Sequence, residues 1–333
     1  MKRNWLQTAS ILLGATLILL LVFAVQLSAV TAYHDGTVPL PNDYRNWFHV
    51  GSKSISAEAA TTLGLPAEVF GETFDAVFAN PVALNDLRSG NRPFREGASF
   101  VAPFFALNHP VDGLDATGDL MFTAVMFKDS EHFADTGGWG FTAYTPDRQP
   151  ITELQDSCFA CHEAQAADND FVFSTLTERA VSAVPASDNG VFLPPDYREM
   201  YWRGAKVIRP EAATALGLPP EIFGNTFDSI YLNQEALGAL GSESRPFPVG
   251  SLFVADFHQA AFPIDGLAAE GADGFTAVML KGAAGTGDDS STGDWKFEAF
   301  SADGTPLSDL RPACVSCHAS QAANDYVFSG APQ

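Results

Sequence analysis

The chain has 333 residues, 46% of them apolar, with 27 Phe, which excludes a disordered chain and leaves room for two domains with cores of their own. Its formal net charge of −22 excludes nucleic acid as a partner, because a phosphate backbone repels such a surface.

The N-terminus opens with Lys2 and Arg3, continues as an uncharged apolar run from Ala9 to Val25, and reaches the small residues Val30-Thr31-Ala32. This layout predicts a secretory signal over residues 1–32, with an uncleaved inner-membrane anchor at residues 9–25 as the alternative. In either case the remainder is expected outside the cytoplasm, in the periplasm or an equivalent space.

A shift of 153 residues exposes a duplication. "LPNDYRNWF" at Leu40 returns as "LPPDYREMY" at Leu193, and "AATTLGLPAEVFGETFD" at Ala59 as "AATALGLPPEIFGNTFD" at Ala212. "RPFREGASFVA" at Arg92 and "FTAVMFK" at Phe122 also recur, at Arg245 and Phe275. An insertion in "GTGDDSSTGDW" then brings Cys158 onto Cys314. A period this long signals duplicated domains. Domains are expected at 33–175 and 191–333, with the turn-forming stretch 176–190 as linker.

Within each copy, Ser56 and Pro210 read as helix starts with Gly64 and Gly217 as stops, and Asn80-Pro81 opens another short helix ending near Gly90. The rest favours strand, including "SFVAPFFAL", "TAVMFKD" and "GFTAYTP". Trp295, Phe297 and Ala299 alternate with Lys296 and Glu298, the pattern of a strand with one solvated face. The expected class is therefore mainly β (α+β): two tandem sheet domains, each closed by a short terminal helix.

Those terminal helices carry all four cysteines, as Cys158-Phe-Ala-Cys161-His162 and Cys314-Val-Ser-Cys317-His318. Cys-x-x-Cys-His is the attachment signal of a c-type haem. Positions i, i+3 and i+4 share one helix face, so two thiols reach the two vinyl groups while the imidazole reaches the iron. A four-cysteine zinc ribbon needs its pairs about 15–20 residues apart, and a thioredoxin-like pair opens a helix near the start of a βαβ unit. A disulfide within each pair would leave the following histidine unexplained. Two copies predict two covalently attached haem c groups, with His162 and His318 on the metal.

The Leu-Pro-x-x-Tyr-Arg opening, the strand ending in Lys, the Gly-x-Trp strand, and the CxxCH followed by Asp170-Phe-Val-Phe or Asp325-Tyr-Val-Phe resemble the cytochrome P-460 family, which includes the beta-type cytochromes c-prime. The resemblance implies antiparallel sheets, a proximal histidine from CxxCH, an iron whose far side is open, and homodimers, so that a tandem chain would form the pair within one molecule. It also implies that hydroxylamine-oxidising members carry a haem-linked lysine where this chain has Ala102 and Ala255, and a carboxylate base where it has Ala124 and Ala277. Alanine performs neither task.

Strand parity puts Phe100 and Ala102 on one face, and Phe253 and Ala255 on its counterpart, while Ala124 goes with Met126 and Ala277 with Met279. Taken together these positions predict an apolar pocket suited to a small diatomic ligand such as NO, although any one of them is equally an ordinary core residue. Ligation by Met126 or Met279 would instead give a six-coordinate electron carrier served by a periplasmic redox partner. His109 and His258 are unmatched between the copies, standing opposite Phe262 and Phe105, which argues against a shared bis-histidine design. His34, His49 and His132 read as surface or loop residues, and the paired lysines Lys53/Lys206 and Lys128/Lys281 as solvated, with neutralisation of haem propionates as the alternative.

Overall fold

The computed structural model describes residues 36–174, 176, 186–288 and 291–328. The expected signal or anchor, and residues 177–185 of the expected linker, lie outside the described residues, as does His34. Among the described residues no helix is long and apolar enough to cross a membrane.

The first repeat runs β1 (Phe48–Ile55), α1 (Ala57–Thr62), α2 (Ala67–Phe70), β2 (Thr73–Ala79), α3 (Pro81–Ser89), β3 (Ser99–Asn108), β4 (Leu114–Lys128), β5 (Trp139–Tyr144), β6 (Pro150–Ile151) and α4 (Gln155–Ala166). The second runs β7 (Tyr201–Ile208), α5 (Pro210–Ala215), α6 (Pro220–Phe223), β8 (Thr226–Leu232), α7 (Gln234–Gly241), β9 (Leu252–Ile264), β10 (Leu267–Lys281), β11 (Trp295–Ser301) and α8 (Arg311–Ala319). The helix starts follow from capping chemistry. Ser56 Oγ accepts from the Ala59 amide at 3.2 Å, and Asn80 Oδ1 from that of Ala83 at 2.9 Å. Gly90, at φ 68°, closes α3 in the left-handed conformation that glycine adopts without strain.

In each repeat the first four strands pair in sequence order, all antiparallel. Sequence reasoning expected one sheet per repeat, but the two sheets are joined edge to edge. β1 pairs with β10 and β4 with β7, so eight strands close a barrel, with β5 and β11 hydrogen-bonded outside the ring. The two junctions are the same contact: Lys53 faces Ala269 and Ile55 faces Leu267, as Lys206 faces Ala116 and Ile208 faces Leu114. Each half alone would leave the ends of β1 and β4, or of β7 and β10, as unpaired edges, and closure pairs three residues of each with the other repeat.

Alternate side chains of both repeats fill the barrel as one core, including Phe74, Phe78, Val101, Val125, Phe227, Tyr231, Val254 and Val278. Phe74 meets its counterpart Phe227 at 5.3 Å between ring centroids. The other faces of these strands, which carry Phe100, Met126, Phe253 and Met279, pack in separate clusters with the CxxCH helices.

The barrel interior also holds charge that the sequence did not announce. His49, expected at the surface, is fully buried: its Nδ1 lies 2.6 Å from Tyr231 Oη and its Nε2 2.9 Å from Ser52 Oγ, and its ring stacks on Trp202. Nearby, Asp256 accepts from Tyr197 and Arg198 at 2.6 and 2.8 Å, and His258 is buried beside it. His109 is half-exposed and paired with Asp115, and exposed His132 bonds Asp129.

Burial, reinforced by the charge of Arg198 and by His258 and opposed by Asp256, holds the His49 imidazole well below its ordinary value of 6.5. Below that value the unfolded chain takes up a proton that the folded chain refuses. The stability associated with neutral His49 is therefore complete above 6.5 and is lost as pH falls, by up to about 1.4 kcal/mol per pH unit. Urea midpoints at pH 5 and pH 7 are expected to converge in His49→Phe relative to the unmodified chain. An unchanged difference between the two pH values would contradict this reading.

Candidate functional site

The site is built from each CxxCH helix, the strand beneath it and the short segment that follows. Cys158 and Phe159 pack against Trp139, Phe141, Phe100 and Met126, and Cys314 and Val315 against Trp295, Phe297, Phe253 and Met279. Lys296 and Glu298 were expected on a solvated face. Glu298 is instead fully buried, because α8 covers that side of β11: Arg311, its first residue, reaches Glu298 Oε2 at 2.5 Å and Ser308 reaches it at 3.0 Å.

Both histidines are oriented in the same way. His162 Nδ1 donates to the Phe171 carbonyl at 2.6 Å, and His318 Nδ1 to the Tyr326 carbonyl at 2.7 Å. This fixes the tautomer and leaves each Nε2 lone pair free for a metal. Burial pulls the His162 imidazole down to about 4, against the opposing bond to Phe171, and lowers His318 likewise. Both rings are thus neutral, the form that ligates.

The accepting carbonyls sit in an unusual backbone. Asp170 and Phe171 have φ of 52° and 65°, and Asp325 and Tyr326 have 51° and 66°. Consecutive left-handed residues other than glycine cost roughly 1–2 kcal/mol each and persist only when held. The aspartate does the holding. Asp170 accepts from Lys128 Nζ at 2.9 and 3.0 Å and from the Phe94 amide at 2.7 Å. Asp325 accepts from Lys281 Nζ at 2.8 and 3.0 Å and from the Phe247 amide at 2.7 Å. Lys128 and Lys281, expected in solvent, are therefore buried ion-pair partners, and the Asp-aromatic-Val-Phe tail is explained as the histidine's support.

Burial also raises the thiols, Cys158 to about 11 and Cys314 to about 12, with Cys161 and Cys317 shifted in the same direction. No disulfide joins any of the four. A redox-active CxxC pair needs a lowered thiol, so these surroundings do not suit thiolate chemistry. Two neighbouring neutral thiols beside a histidine with a free Nε2 do suit a covalently held haem.

At the second repeat a cavity of about 220 Å³ opens between α8 and the outer face of the sheet. Cys314, Cys317 and His318 form one wall with Val327 and Phe328, while Phe253, Ala255, Ala277 and Met279 form part of the other. Ala255 faces Ala277 and Phe253 faces Met279 across β9 and β10, so the four make one patch. Their counterparts pair identically, Ala102 with Ala124 and Phe100 with Met126. Phe100 and Met126 are buried beside Cys158, and Ala102 and Ala124 pack in the adjoining cluster with Phe104 and Phe122.

Sequence reasoning missed Leu114 and Asp228 among the lining residues, and read Lys206, noted as matched between the copies, as solvated. Leu114 comes from the other repeat, through the β4–β7 junction, and nothing local announces it. Lys206 and Asp228 form an ion pair on the sheet wall, 3.4 Å apart, repeated by Lys53 and Asp75 at 3.2 Å. The recurrence of the aspartates, closing "GETFD" and "GNTFD", was the signal left unread.

No curated protein sequence matches the chain. The family model described as Cytochrome P460 matches residues 41–174 and again 194–329, one match per repeat and more than half of the chain, and on that match the chain belongs to the cytochrome P460 family.

Proposed function

We propose that this is an exported dihaem cytochrome that binds small diatomic ligands, NO being the best suited, with one-electron redox at each iron. Membership of the cytochrome P460 family implies haem c, and the two CxxCH helices are compatible with one haem each. Cys158 and Cys161 would hold the first and Cys314 and Cys317 the second, with His162 and His318 as axial ligands. A haem held by these residues would supply one-electron redox chemistry and an iron able to take a small ligand.

The observation that carries the reading is the second-repeat cavity, where His318 and the patch of Phe253, Ala255, Ala277 and Met279 line one space. The two alanines leave room, and the apolar patch excludes water and favours neutral ligands. The absence of lysine and carboxylate at Ala102, Ala255, Ala124 and Ala277 disfavours hydroxylamine oxidation. The equivalent β1–β10 and β4–β7 junctions support a pair formed within one chain, and the apolar N-terminal stretch supports an extracytoplasmic location with a periplasmic redox partner.

Optical and resonance Raman spectra with and without NO test the proposal. High-spin, five-coordinate ferrous haem that takes up NO is expected. Low-spin haem unmoved by NO would overturn it in favour of an electron carrier with Met126 or Met279 on the iron.

A further inference from the structure

The cavity wall carries one charged pair that the binding of a neutral diatomic does not use. Lys206 on β7 and Asp228 on β8 are cross-strand partners, and both line the cavity. Lys53 and Asp75 are partners in the same way. The neighbouring interior positions have diverged, with Ser54 against Val207 and Ala76 against Ser229, while both ion pairs are kept. The carboxylates are almost wholly buried, with side chains 6% and 4% exposed, whereas the lysines remain 32% and 30% exposed.

That difference decides what the pair can do. The carboxylate is sequestered and serves as an anchor. The ammonium gives Asp228 a single long contact of 3.4 Å and has three donors to offer. The ammonium is the accessible member of the pair on one wall of a mainly apolar cavity, its Asp228 partner is almost wholly buried, and the metal-binding histidine is on the other wall; this is an arrangement for anions, because the low local dielectric strengthens the attraction of the ammonium for negative charge.

We propose that Lys206, anchored by Asp228, makes the second-repeat pocket an anion-binding site that admits small inorganic anions such as azide or nitrite to the iron's open position. The inference rests on the haem reading given above. Lys206 is the binding residue and Asp228 positions it.

The test is azide titration of the ferric protein, after haem content has been measured and alongside NO titration of the ferrous protein. In Lys206→Met, half of the azide-dependent spectral change is expected to move to about tenfold higher azide or beyond, with NO affinity unchanged. Lys206→Arg keeps the charge and is expected to retain azide binding. Because Lys206→Met strands a buried carboxylate, Lys206→Met/Asp228→Leu is measured as well and is expected to show the same azide loss. Unchanged azide affinity in the haem-loaded variants would overturn the proposal. So would an equal loss of azide and NO affinity, or a loss of haem from both variants, since either would make Lys206 a structural support. An unmodified protein without haem would instead sink the haem reading itself.

Discussion

Replacing Lys281 by Met is expected to destabilise the protein by about 3–5 kcal/mol, the usual cost of removing one partner from a buried ion pair. The ammonium is enclosed, with a side chain 6% exposed, and holds both Asp325 oxygens and the Gly293 carbonyl, the last at 2.7 Å. It also stands 4.9 Å from the centre of the Trp295 ring. Without it Asp325 keeps the Phe247 amide but has no counter-charge, and the left-handed pair Asp325-Tyr326 loses its restraint. The Tyr326 carbonyl that orients His318 would shift with it. Urea denaturation measures the loss. A change below about 1 kcal/mol would mean that the pair is screened as a surface pair is, contrary to its burial. Lys128→Met is expected to act in the same way on the first repeat.

The second large effect concerns the barrel. The first repeat produced alone, residues 36–174, is expected to exist as a homodimer and to unfold on dilution. Alone it exposes the β1 and β4 edges and the interior faces of Phe74, Phe78, Val101 and Val125, all of which the second repeat covers. The junctions are equivalent contacts, so a second copy can supply the same edges in the same register. Phe74, which now meets Phe227, would meet Phe74 of the other copy. Sedimentation over a concentration series tests this. A stable monomer at all concentrations would show that each repeat folds without the other.

Much of this architecture was legible in the sequence because it is local. The repeat, the capped helices and the spacing of Cys158, Cys161 and His162 depend on neighbours along the chain, and the alternation of Phe100, Ala102, Ala124 and Met126 follows strand parity. What depends on partners distant in sequence was not legible. Closure of one barrel from two sheets is set by the pairing of β1 with β10, which leaves no mark on either strand. His49 reads as a polar residue until Tyr231 and Ser52 surround it, Lys281 as a solvated one until Asp325 reaches back 44 residues, and Glu298 as an exposed one until Arg311 is laid over it. The Asp-aromatic-Val-Phe tail was visible as a motif, but its role appears only once its backbone carbonyl is found against the histidine.

The most direct test of the account is the intact mass of the purified protein after denaturation, which counts covalently attached groups. One haem c per repeat predicts a mass increase of two haem groups, falling to one in Cys314→Ser/Cys317→Ser. A polypeptide mass with no haem added, or a single haem unaffected by that double substitution, would contradict it.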